Sequence, residues 1–219
     1  MAPHPDDELI GAPATLMALR DAGHRIVNLA CSLGRPGDEA RRAAELAEAC
    51  RRAGFESRVL REPLEEDRLR ARLVATLRAE PFGLVVGPSP EDRHPTHELV
   101  GRAVRAALES GAGPDRWWQW GLWGELRYPT VVAGFGEARL REILGALDAH
   151  TGEVARNDYR RLVEGRAMAT AVLAAERVFG FGAPGLGDPY AEVVSELVRG
   201  VGGWVLGSPR RLGSGELLG

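Results

Sequence analysis

The first half of the chain alternates helix-patterned and strand-patterned segments, and this alternation restricts the fold more than any other feature. Residues 8–22 carry apolar side chains at helical spacing and end at Gly23, a stop signal. Residues 24–32 form a short apolar run suited to a strand. Gly34-Arg35-Pro36-Gly37 reads as a loop, Asp38 as an N-cap, and the helix that follows runs to Ala53 and closes at Gly54. Residues 57–60 read as a strand, 64–79 as a helix, 82–86 as a buried strand and 97–109 as a fourth helix. Such alternation predicts an α/β fold whose mostly parallel sheet has helices on both faces. Ligands bind such sheets outside the carboxyl ends of the strands. The pattern also calls for a strand ahead of Ala2, where only Met1 stands, so the expected start lies upstream of Met1.

The second half is less regular. Residues 111–124 hold Gly, Pro and four Trp (Trp117, Trp118, Trp120 and Trp123) and read as irregular. Residues 129–135 suit a strand, 137–149 and 158–179 suit helices, and the Gly/Pro stretch 180–189 suits a loop. No repeat or linker divides the chain, which predicts one domain over residues 1–219, its substrate-side elements in 111–219.

A hydrophobic fraction of 44% and a charged fraction of 27% fit a globular protein with a real core. A net charge of −3 argues against a nucleic-acid partner. No apolar run is long enough for a membrane span, and no signal peptide precedes the first motif, so the expected compartment is the cytoplasm. Cys31 and Cys50 read as buried free thiols. The lack of a Gly-rich phosphate loop excludes a nucleotide-binding reading.

Two motifs carry chemistry. The chain opens Ala2-Pro3-His4-Pro5-Asp6-Asp7-Glu8 and later reads Arg93-His94-Pro95-Thr96-His97. Both fall where strand ends are expected. His4, Asp7 and His97 would supply three ligands to a catalytic zinc, leaving a position for water. A two-His, one-carboxylate set also accepts Fe²⁺ or another divalent metal. Adjacent carboxyls on an extended backbone point apart, so Asp6 is free to act as general base. His94, three residues before His97, shares its side of a helical turn. His24 and His150 lack carboxylate companions in the local sequence and read as surface residues.

These motifs resemble those of the PIG-L/LmbE-like zinc-dependent N-acetylglucosaminyl deacetylases. Leu33-Gly34 with Arg42-Ala43-Ala44-Glu45-Leu46, and Tyr190-Ala191-Glu192, extend the likeness. The resemblance implies a Rossmann-like three-layer sandwich with the active site at the C-terminal strand ends. It also implies Zn²⁺ on His4, Asp7 and His97, with Asp6 as general base. His94 would steady the oxyanion or protonate the leaving amine, and Arg42 would contact substrate. Its implied reaction is removal of an N-acetyl group from a small-molecule amino-sugar conjugate. Amide hydrolysis on a thiol or glycoside conjugate, or a binding role on the same fold, are the competing readings. Trp117 and Trp120 are candidate walls for a sugar ring. The family often has Asp between the two histidines; here Thr96 stands there and supplies no negative charge, so the expectation is either a less basic His94 or Asp92 as the substitute beside it. A homo-oligomer is left open.

Overall fold

A computed structural model describes residues 1–60 and 64–213. In chain order the elements are α1 (Asp7–Ile10), α2 (Pro13–Asp21), β1 (Val27–Ala30), α3 (Glu39–Ala53), β2 (Glu56–Val59), α4 (Glu66–Ala79), β3 (Val85–Pro88) and α5 (Pro95–Glu109). There follow β4 (Arg116–Trp120), β5 (Val131–Phe135), α6 (Glu137–Leu147), α7 (Thr151–Arg156), α8 (Tyr159–Phe179), β6 (Tyr190–Gly200), β7 (Gly203–Leu206) and β8 (Arg210–Arg211).

The α/β alternation is present, but the sheet is mixed rather than mostly parallel. β1 pairs with β2 and β3 with β4 in parallel. β6 then runs antiparallel to both β4 and β5, and turns back into β7 through Gly200–Gly203. A tight hairpin can join only antiparallel strands, so the β6–β7 turn fixes that part of the topology. The Trp-rich stretch is also not irregular, because Arg116–Trp120 is a strand between β3 and β6.

The expected first strand is reduced to a bridge. Ala2 N–H donates to the Leu29 carbonyl at 2.9 Å, and Cys31 N–H donates to that of Ala2 at 2.8 Å. On the other side the Met1 amino group donates to the Val86 carbonyl at 2.8 Å. Two residues therefore stitch the β1–β2 pair to the larger sheet, and His4 follows directly.

The helix expected over 8–22 is split into α1 and α2. Pro13 sits at the start of α2, where its missing N–H costs nothing. Gly11 lies at the break and leaves room for Trp120, since an added Cβ would lie 2.7 Å from its ring. α3 ends as expected at Gly54, which is left-handed with φ 72°. α5 buries Val100, Ala103, Val104, Ala107 and Leu108 against Leu69, Leu73 and Leu77 of α4, with Trp117 beneath them. A second core joins α2, α3 and α6 around Met17, Leu46, Ile143 and Leu147. Cys31 and Cys50 are buried free thiols, and burial pushes each up to about 12. No described helix is long and apolar enough to cross a membrane.

Candidate metal centre

The two motifs meet where β3 and the Met1–Ala2 bridge end. Asp7 opens α1, and one oxygen (Oδ2) accepts the His4 N–H at 2.8 Å and lies 3.3 Å from His4 Nδ1. Its other oxygen, Oδ1, lies 3.4 Å from His97 Nε2. His97, on the first turn of α5, is 1% exposed. The far side of its ring donates from Nδ1 to Asp92 Oδ2 at 2.7 Å. Metal-binding histidines characteristically hold a carboxylate on the nitrogen turned away from the metal, which fixes tautomer and ring angle.

Donor atoms of His4, Asp7 and His97 all lie within 4.8 Å of one another. Two imidazoles and a carboxylate converging at that spacing, with Asp92 behind one of them, fit a divalent metal such as zinc. Burial alone would raise the Asp7 carboxyl, but its contacts with His4 and His97 hold it well below the usual carboxylate range. Burial would likewise lower His97, yet the hydrogen bonds to Asp7 and Asp92 push it up to about 9.

Asp6 is differently placed. Its backbone has φ 116°, a conformation that side-chain-bearing residues rarely adopt. The turn is held by Asp6 N–H donating to Glu8 Oε2 at 3.0 Å and by Leu9 N–H donating to the Asp6 carbonyl at 2.9 Å. Asp6 stands outside the His4–Asp7–His97 ligand group but lines the same cleft. Burial, and then the charges of Asp7 and Glu8, raise its carboxyl well above the usual range, with Arg42 opposing.

His94 joins the cluster without entering the ligand group. Its ring centroid is 4.6 Å from that of His97 and 5.5 Å from that of His4. Its Nδ1 is buried with no hydrogen-bond partner. Burial, then the neighbouring His97 and His4, lower its pKa, which favours a neutral ring. Asp92 does not take the place of the missing family Asp beside His94. One of its oxygens is spent on His97, and the other accepts the backbone N–H groups of Leu122, Trp123 and Gly124.

Arg42 is buried rather than an exposed helix residue, and donates from Nη2 to the Pro5 carbonyl at 3.1 Å. It supports the first motif from below and faces the cleft. Gly34 is required beside it: φ is 85°, and an added Cβ would lie 2.0 Å from Arg42 Nη1.

Two aromatic assignments are corrected. Trp117 is 1% exposed, in the α4–α5 core with Trp204 against its edge. Trp120 is also buried and sets its edge against His97 at 5.3 Å, a supporting contact rather than a wall of the cleft. Strand β4 carries both into packed layers. Trp123, beyond the strand end, is the tryptophan at the cleft; it is 54% exposed and stacks on His94 with centroids 5.9 Å apart. The Gly residues at 121 and 124 were the signal that this Trp stands on a loop.

His150 also departs from expectation. It is fully buried, and its Nε2 donates to Glu8 Oε1 at 2.7 Å. Glu8 thus takes the Asp6 backbone on one oxygen and His150 on the other. The cleft above these groups encloses about 830 Å³ and is bordered further out by Arg41, Arg156 and Tyr159.

A family model, PIG-L: GlcNAc-PI de-N-acetylase, matches residues 1–108 and so spans both motifs. Residues 1–108 are a PIG-L family domain. No curated protein matches the chain. Among solved structures, the conserved protein TT1542 from Thermus thermophilus is similar with a TM-score of 0.73 and 22% identity, over 88% of this chain and 90% of that one. The N,N'-diacetylchitobiose deacetylase from Pyrococcus horikoshii, crystallised with its inhibitor MPG, gives a TM-score of 0.67 and 20% identity, over 89% and 81%. GalB, the 4-carboxy-2-hydroxymuconate hydratase from Pseudomonas putida, gives 0.62 and 16%, over 89% and 93%. At these identities the likeness establishes the fold, and a PIG-L-type fold that also serves a hydratase leaves the reaction to be argued from the site.

Proposed function

We propose that the chain is a metal-dependent N-deacetylase that removes an acetyl group from the nitrogen of a glucosamine-type sugar conjugate, with zinc on His4, Asp7 and His97. The observation that carries this reading is the division of labour between adjacent carboxyls. Asp7 is engaged by both ligand histidines, whereas Asp6 is buried in the same cleft with its carboxyl uncommitted. When bound, the metal would acidify a water and polarise the acyl oxygen.

The residues of the chain supply the rest. Asp6 accepts a proton from the attacking water, a role suited to a carboxyl whose proton affinity burial and the neighbouring Asp7 and Glu8 charges raise. The buried, unpartnered Nδ1 of His94 marks a ring with hydrogen-bonding capacity to spare, able to serve the acyl oxygen or the departing nitrogen. That nitrogen must gain a proton before the C–N bond breaks, and Asp6 or His94 delivers it. Products are the free amine and acetate. Trp123 offers an apolar face to the sugar ring, and Arg42 braces the backbone that carries Asp6. A cleft of about 830 Å³ admits more than a single sugar, which favours a glycoside or larger conjugate.

The direct test is Asp6→Asn with zinc content measured alongside acetate release from N-acetylglucosamine conjugates. Turnover should fall by about 10²–10⁴ while bound zinc stays unchanged. Full activity in that variant with zinc in place would overturn the assignment.

A further inference from the structure

We infer that the outward face of α8 is an interface with a second copy of this chain, the two helices packing antiparallel about a twofold axis. α8 buries Ala171, Ala174 and Val178 against the sheet, and Val163 and Ala167 in the core shared with α2, α3 and α6. Its opposite side carries Arg161, Gly165, Met168, Ala169, Val172 and Glu176, all but the two ends of this stripe being uncharged. At 100° per residue these six fall within roughly a third of the helix circumference. Val172 is 76% exposed and Met168 52%, with Leu173 at 51% on the flank. A helix that is apolar on both faces is ordinarily covered on both.

The stripe is complementary to itself. Taking the point midway between Met168 and Ala169 as the axis, Arg161 and Glu176 lie equally far on either side, as do Gly165 and Val172. An antiparallel partner therefore sets Gly165 under the partner's Val172 and Ala169 under the partner's Met168, small against large throughout. It also sets Arg161 against the partner's Glu176 at both ends. Neither residue forms an ion pair among the described residues; Glu176 spends one oxygen on the Gly182 N–H and keeps the other. A parallel arrangement would stack Arg161 on Arg161 and Glu176 on Glu176, so charge selects the antiparallel one. Twofold interfaces are isologous, and this pattern of pairwise exchange is what such an interface requires.

Sedimentation of the full chain over a dilution series tests the inference. The protein should sediment as a dimer that dissociates on dilution, and Val172→Glu should halve its mass while leaving the circular dichroism unchanged. Arg161→Glu or Glu176→Arg alone should weaken the dimer by about tenfold. The double reversal R161E/E176R should restore it, because opposite charges again face each other. Met168→Cys should form an intermolecular disulfide near the axis; the native Cys31 and Cys50 are buried and do not compete. A wild-type chain monomeric at every concentration, a dimer indifferent to Val172→Glu, or a double reversal no stronger than the single variants would each overturn the inference.

Discussion

Asp92 touches His97 with one oxygen and the loop bearing Trp123 with the other, so a single carboxylate positions both a metal ligand and the aromatic face of the cleft. An amide cannot accept on both sides, because its nitrogen only donates. Asp92→Asn should therefore lower zinc affinity by about 10–100-fold, measured by competition with a chelator. Affinity equal to the parent's would show that His97 is held in place by something other than Asp92.

Metal binding should depend on pH through the same histidine. With His97 pushed up to about 9 in the metal-free protein, zinc must displace a proton throughout the neutral range. Affinity should rise about tenfold per pH unit from roughly 7 to 9 and then flatten, as read by calorimetry in buffers of differing ionisation heat. Stability of the metal-free protein follows the opposite course. A folded pKa raised above the ordinary 6.5 contributes fully below 6.5, and that contribution is lost as pH rises through about 9. Thermal melts of chelated protein should show the decline, and zinc should remove it.

The two tryptophans should separate function from packing. Trp123→Ala is expected to raise KM about tenfold for sugar conjugates with little change in melting temperature, consistent with one lost stacking face. Trp117→Ala should cost about 3–5 kcal/mol in urea denaturation, with kcat/KM per folded molecule unchanged. Reversed outcomes would return Trp117 to the substrate side.

His150→Ala should destabilise the fold by about 3–5 kcal/mol, because it strips the partner from a buried carboxylate. Glu8 also holds the Asp6 backbone, so kcat should fall with it. His150→Gln, which can still donate to Glu8, should recover much of both losses. Denaturation and turnover on the same preparations decide the matter.

Local patterns revealed what depends on local chemistry. The C-terminal end of α3 follows from Gly54, whereas Asp38 precedes the helix without its side chain capping it; the α5 core face follows from apolar spacing, and the His4–Asp7–His97 grouping from residue type and strand-end placement. Features that join distant segments were not legible. Glu8 and His150 are 142 residues apart, and neither neighbourhood announces the other. Strand β4 is covered on both faces, so Trp117, Trp118 and Trp120 show no alternation of apolar and polar residues that would mark it. The antiparallel course of β6 is decided by its partners, not by its composition.

The φ of 116° at Asp6 has a consequence for how this protein can change. Holding a residue with a side chain in such a conformation costs about 1–3 kcal/mol, and glycine would escape that cost. The position proposed to take the proton is thus one where losing the side chain relaxes the backbone. Laboratory selection for heat resistance alone would tend to drift toward an inert molecule there, and only selection for turnover would keep the carboxyl in place.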